Sequence, residues 1–129
     1  MKEFIFFIRK QSDSGETLGS EVHHKFLKSC ESYIEKLKSE GKLISAQPIV
    51  REGKIISGNS DKWIEKPYNE TNEVIGGYYH ILATDLNEAI SIAKQNPEFE
   101  FNSDTRIEVR PIKMKEENTG FVYPSHKFS

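Results

Sequence analysis

Cysteine is nearly missing from this sequence: Cys30 is the only one in 129 residues. A disulfide within the chain is therefore impossible, and a four-cysteine zinc site is excluded. Low cysteine use suits a reducing compartment, so the chain is read as cytoplasmic. An excess of one charge is missing too: 18 basic residues against 20 acidic ones leave a net charge of −2. A field that weak recruits neither nucleic acid nor an anionic membrane, and neither is expected as a partner. The N-terminal apolar run, Phe4 to Ile8, is too short for a signal peptide's apolar region and far too short to span a bilayer. No internal repeat and no low-complexity tract occurs.

What is present suffices for one core. Hydrophobic residues make up 36% and aromatics 11%. A domain of this size buries roughly two thirds of its unfolded-chain surface and needs no disulfide or metal staple. The order of elements reads β-α-β-β-β-α-β. Lys2 to Arg9 is an unbroken β-prone run, expected to be buried on both faces. Gln11 to Gly19 is a loop. Ser20 is placed to cap a helix in which Val22, Phe26, Cys30, Tyr33 and Leu37 share one face, and Gly41 ends it in the left-handed region. Leu43 to Val50 is a strand weakened late by Pro48, and Lys54 to Ser57 is its expected hairpin partner.

Val74 to Thr84 is the longest strand. Tyr79, Ile81 and Ala83 point one way, and Tyr78, His80 and Leu82 point the other. Asp85 and Glu88 form a capping box for a second helix, which Asn96-Pro97 stops. Phe99 to Asp104 is a loop, and Thr105 to Lys113 is the last strand. Two helices that each join a pair of strands predict a ferredoxin-like split β-α-β sandwich, an α+β fold. Residues 1–113 form the domain and 114–129 a polar tail. Both helices cover one face of an antiparallel sheet. The other face is left apolar and open, and such a face commonly meets a second copy, so a homodimer is expected.

Candidate chemistry concentrates between Trp63 and His80. Glu70 and Glu73 lie three apart; on a helical turn they share a face and can raise one carboxyl's pKa for acid–base work. The alternative is a solvated turn, or a pair that holds Arg110 and a lysine. Gly76-Gly77 lacks the following helix and Lys-Ser/Thr of a phosphate cradle and reads as a bulge or a close backbone approach. His80 lies mid-strand, where it either lines a pocket as a general base or packs against a partner. Adjacent His23 and His24 project about a hundred degrees apart on a helix, so they do not readily share a metal; no metal and no cofactor is expected. Arg110 can grip a substrate carboxylate or lock the sheet to Glu70 or Glu73. Tyr68, Tyr78 and Trp63 can line an aromatic pocket or serve core and dimer packing.

The stretch from Trp63 to Tyr79 resembles the signature of the YCII-related domain family, in the branch often called DGPF proteins. Glu65, Lys66, Pro67 and Tyr68 occupy the Asp-Gly-Pro-Phe positions. Glu70, Glu73, Gly76, Gly77 and Tyr78 match the block that follows, and Glu108-Val-Arg-Pro111 looks like the closing strand. The resemblance implies a dimeric α+β barrel with a pocket in each subunit. It implies little about turnover. A related YCII protein is a dehydrochlorinase credited to a His-Asp pair. Here the usual helix-1 histidine falls nearer Phe26 or Cys30 than His24, and the turn's Asp is Glu65.

Two functions follow as expectations. One is a small-molecule binding or accessory protein, with a pocket near the dimer seam walled by Tyr68, Tyr78, His80 and Arg110 and flanked by Glu70 and Glu73. The other is a lyase or dehydrohalogenase-like enzyme, with His80 or His24 as base and Glu65 as the orienting acid. A third reading is a homodimeric interaction module that docks through its tail.

Overall fold

The two strands richest in β-branched and aromatic residues run side by side through the middle of the sheet. In the computed structural model, which describes residues 1–11, 19–70 and 72–125 apart from the Glu70 side chain, these are β1 (Lys2–Gln11) and β5 (Glu73–Ala83). β2 (Leu43–Pro48) flanks β5, and β6 (Arg106–Pro111) flanks β1, giving the order β2-β5-β1-β6 with every pairing antiparallel. With α1 (Ser20–Ser39) and α2 (Leu86–Lys94) as the two crossovers, this is the ferredoxin-like α+β fold. Most of the expected loop between Gln11 and Gly19, residues 12–18, lies outside the described residues, as do Thr71 and residues 126–129.

The alternation expected for β5 holds. Tyr79, Ile81 and Ala83 are buried, while Tyr78, His80 and Leu82 are half-buried on the opposite face. The buried set joins Phe4, Phe6 and Ile8 of β1 under Tyr33 and Leu37 of α1 and Ala89, Ile92 and Ala93 of α2. Tyr33 anchors this layer by donating its hydroxyl to the Ile92 carbonyl at 2.7 Å. Burial pushes the Tyr33 and Tyr79 phenols well above their ordinary pKa, so both are neutral core residues.

Helix ends follow local chemistry, with one correction. Ser20 is already inside α1; Gly19 takes the cap position, and no side chain caps it. At the other end, Gly41 sits at φ +69°. The Gly41 N–H bonds the Lys38 carbonyl and the Lys42 N–H bonds the Leu37 carbonyl, a complete Schellman closure. Asp85 caps α2 by accepting from Glu88 N–H at 2.8 Å, and Glu88 in turn accepts from Thr84 N–H. Asn96-Pro97 ends α2 as expected but also starts a further turn. The buried Asn96 side chain accepts from Glu98 N–H, and α3 (Glu98–Phe101) replaces the expected loop.

The middle of the chain differs from expectation. β3 (Lys54–Asn59) pairs not with β2 but with β4 (Lys62–Pro67), in a separate two-stranded ribbon. Gly58, at φ +97°, permits the tight return: a Cβ there would lie 2.2 Å from the Lys62 carbonyl oxygen. Pro48 closes β2 before it can extend toward β3, since proline offers no N–H. The ribbon's residues are all exposed, Trp63 and Ile56 among them. No helix among the described residues is long and apolar enough to cross a membrane.

Candidate functional site

A bulge decides what the open face of the sheet carries. β1 and β5 pair Ile8 with Gly77 and then Arg9 with Ile75, so Gly76 is an extra, unopposed residue. By strict alternation Glu73 and Ile75 would share the helix-covered face with Tyr79 and Ile81. The extra residue reverses the parity: Val74 turns inward and is buried, and Glu73 joins Tyr78 and His80 on the open face. Gly77 answers a second constraint, because a Cβ on it would lie 3.0 Å from the Gln47 carbonyl oxygen. Both structural readings of the glycine pair therefore apply.

The open face holds a cleft of about 540 Å³. Ile5 and Phe7 form its floor, Tyr68 and Tyr78 are aromatic walls, and Arg9 and Glu73 lie at one end. The loop from Ile49 to Lys54 closes the far side. Glu73 accepts from Arg106 Nε at 2.9 Å and from Arg106 Nη2, and Arg9 approaches it at 3.6 Å. These guanidinium groups, Arg106 first, hold the Glu73 carboxyl below its ordinary pKa, against the raised value of one of its two expected readings. Glu73 also shares no helical turn with Glu70: the 3-10 turn Tyr68–Glu70 ends before β5 begins. The Glu70 side chain lies outside the described residues.

One strand-step from Tyr78, His80 meets Glu3. The Nε2–Oε1 distance is 2.7 Å, and Glu3 is only 4% exposed. Ser125, from the tail, donates to the other Glu3 oxygen at 2.8 Å. A carboxylate can only accept, so in a neutral imidazole facing it Nε2 would be the donor and Nδ1 the acceptor. His80 pairs in register with Ile5 of the cleft floor, and Tyr78 receives the Ser45 hydroxyl at 3.2 Å. The dyad therefore adjoins the cleft but does not line it.

The remaining expected residues lie elsewhere. His24 stands exposed on α1. Glu65 is on the exposed ribbon, where it takes Lys54 at 3.3 Å. Among the described residues no hydrogen bond joins either of them to His80. Arg110 pairs with Glu108, two residues away on its own strand, at 3.0 Å, and among the described residues no contact joins it to Glu73. Sequence reading missed Glu3 and Arg9. The only signal was a charge at each end of an apolar strand, and only the register shows that Glu3 faces His80.

A second cavity, of about 390 Å³, lies on the helix side, under the N-terminal half of α1. Phe26, Ile8 and Tyr79 line it together with Cys30, Lys10 and Glu98. Burial and then the nearby Glu98 push the Cys30 thiol up to about 11, so it is a protonated, sluggish thiol near neutrality. No group of three or more His, Cys, Asp or Glu residues placed to hold a metal ion occurs among the described residues.

A family model for the YCII-related domain matches residues 3–113. The chain belongs to the YCII-related domain family. Comparison with curated proteins finds no match. Among solved structures, this YCII-related domain is similar to 5-chloro-2-hydroxyhydroquinone dehydrochlorinase (TftG) from Burkholderia phenoliruptrix AC1100, in complex with 2,5-dihydroxybenzoquinone. The TM-score is 0.51 at 17% identity, with 88% of this chain and 97% of that chain covered. At that identity the likeness concerns the fold.

Proposed function

We propose that this YCII-related domain binds a small aromatic or polar molecule in the cleft on the open face of its sheet. One observation carries the reading: a cavity of about 540 Å³ with an apolar floor, two tyrosines and an Arg–Glu pair converging on it. That is the usual make-up of a small-molecule site, apolar walls with a few oriented polar groups. The homodimer fits the same geometry. Ile5, Phe7 and Leu82 are half-exposed on a face that no helix covers, and a second copy pressed there would put the cleft beside the seam. A fragment screen by ¹H–¹⁵N NMR tests the proposal. Hits are expected to move the amides of Gly53, Ile75 and Gly76 and to weaken in Tyr68→Ala. A screen whose hits all leave those amides unmoved rejects it.

A second reading is favoured by the His80–Glu3 contact: a lyase of the dehydrohalogenase type. His80 Nδ1 would take a proton from the substrate as halide leaves with the bonding pair, and Glu3 would hold the imidazole, the role that sequence assigned to Glu65. The likeness to the dehydrochlorinase supports the choice of test substrate. Chloride release from 5-chloro-2-hydroxyhydroquinone should exceed the uncatalysed rate and fall to it in His80→Asn. Release unaffected by that change, or none above background, discards the enzyme.

A further inference from the structure

The β3–β4 ribbon has the composition of a covered element and stands in the open. Residues paired across the two strands share a face. The register therefore puts Ile56 and Trp63 on one face, with Lys54 and Glu65, and Ile55 and Ile64 on the other, with Lys62 and Lys66. Trp63 is 61% exposed and Ile56 65%; Ile55, Ile64 and the adjoining Ile49 and Val50 are exposed as well. An antiparallel pair with one face in water normally keeps that face polar, and here neither face is. β3 and β4 make their main contacts with each other and stand off from the four-stranded sheet. A lone two-stranded hairpin is marginally stable in water, and an apolar patch of this extent marks an interaction surface.

We propose that the ribbon is an arm that lies on a second copy of this chain, with Trp63 as its anchor. This rests on the homodimer proposed above and adds what holds the two copies together. Area points to a copy. The six exposed apolar side chains offer roughly 100 Å² each, on the order of 600 Å² per chain; two such arms and the surfaces under them pass the roughly 1,200 Å² of a stable interface. A two-fold contact needs the donor and the receiving surface on the same chain. Both are present, because the open sheet face leaves Ile5, Phe7 and Leu82 half-exposed. The arm is also continuous with that face: Lys54, which begins β3, and Tyr68, which follows β4, line the cleft there. Seating the arm therefore sets that wall of the cleft. Charge agrees. Lys54, Lys62 and Lys66 are largely offset by Asp61 and Glu65, and the chain carries only −2, so two copies meet without strong repulsion. Lys66 and Pro67 blunt the β4 edge against further strand pairing, which favours a closed pair over a filament. An aromatic anchor within a charged rim is the usual anatomy of such a contact.

Trp63 is the only tryptophan in the chain, so its fluorescence reports on the arm alone. Interfaces of this size bind at micromolar Kd or tighter, so sedimentation velocity is run on the full chain from about 1 to 100 µM, with Trp63 emission and acrylamide quenching at the same concentrations. A dimer is expected to form. As it forms, the emission should move to the blue and quenching should fall by about threefold or more. The double change Trp63→Ser/Ile56→Ser touches only exposed side chains; it should keep the amide spectrum of β1 and β5 and weaken the dimer by about tenfold or more. A dimer in which Trp63 stays as quenchable as in the dilute chain, or one that the double change leaves unweakened, would overturn the arm and leave the dimer standing. A chain that is monomeric at about 100 µM would overturn both. A blue shift that needs phosphatidylcholine–phosphatidylserine vesicles, and not a raised protein concentration, would give the ribbon to a membrane surface and overturn the proposal too. Fragment binding at Gly53, Ile75 and Gly76 is scored separately, so failure of the arm and failure of the cleft remain distinguishable.

Discussion

Replacing His80 by leucine isolates the energetic role of the dyad. The change leaves Glu3, a carboxylate only 4% exposed, with Ser125 as its remaining side-chain donor. Removing one partner of a fully buried ion pair costs roughly 3–5 kcal/mol, and a single hydrogen bond to a charged group contributes about 1.5–3 kcal/mol. The His80 side chain is 20% exposed, so water can partly replace it, and Ser125 stays. The lower range therefore applies, and about 2 kcal/mol is expected. An unfolding entropy of about 2.1 cal/mol/K per residue turns that into a fall in Tm of about 7 °C for a chain this long. Urea titration should show the loss as a lower midpoint with an unchanged slope. The decisive comparison is the double variant Glu3→Leu/His80→Leu. Removing the stranded carboxylate together with its partner should recover at least about 1 kcal/mol relative to the sum of the single changes. A His80→Leu protein within about 0.5 kcal/mol of the parent, or a double variant as unstable as that sum, would mean that the 2.7 Å contact stabilises nothing.

The glycine pair should respond unequally to alanine. Gly77→Ala forces a Cβ against backbone atoms at 3.0 and 3.3 Å and should cost about 1–3 kcal/mol by urea titration. Gly76→Ala meets only the flexible Lys10 chain at 3.4 Å and should stay within about 1 kcal/mol of the parent. Glu73 has a folded-state pKa below its ordinary 4.5, so its contribution is fully present above that value and fades as pH falls through the lower folded value. The stability gap between the parent and Glu73→Gln, measured by urea titration from pH 7 downward, should therefore narrow only below about pH 5. A gap that widens in acid would reverse the assigned direction. Tyr33→Phe removes a buried hydroxyl donor from the Ile92 carbonyl, which keeps the Gln95 N–H, and should lower stability by about 1 kcal/mol.

The strands and helices were legible because their signals are local. Tyr79, Ile81 and Ala83 alternate with Tyr78, His80 and Leu82 at period two, and Asp85 with Glu88 marks a helix start without reference to anything distant. The site was less legible because its contacts are long-range. His80 finds Glu3 across 77 residues and Arg9 finds Glu108 across 99, and neither pairing has a trace in spacing. The ribbon was misassigned for a related reason. Lys54 to Ser57 can pair as well with either neighbour on propensity alone. The close return at Gly58 and the missing N–H of Pro48 settle the choice. The apolar stripe of α1 was half right. Tyr33 and Leu37 are buried, whereas Val22 is 43% exposed and Phe26 only half-buried.

That half-used stripe and the two cavities meet at one break in the sheet. β2 ends at Pro48, and the β1–β5 ladder breaks at Gly76 before it resumes at Arg9–Ile75. Near that break Phe26 and Cys30 of α1 line a cavity together with Ile8 and Lys10 of β1, Gln47 and Pro48 of β2 and the two glycines of β5. The same interruption turns Glu73 onto the open face, beside Tyr78, and so furnishes the other cleft with its charged end. A single extra residue with no side chain thus borders one cavity and equips the other. Gly76 and Tyr78 border both, which leaves the two cavities separated there by little more than backbone. Deleting Gly76 would remove the bulge and leave Ile75 opposite Arg9, Val74 opposite Lys10 and Glu73 opposite Gln11, so each face would keep its occupants. Slipping the register by one residue with Gly76 kept would instead turn Glu73 into the core layer, and because an ionised carboxylate cannot be buried there without a partner, Glu73 helps hold the bulge in place.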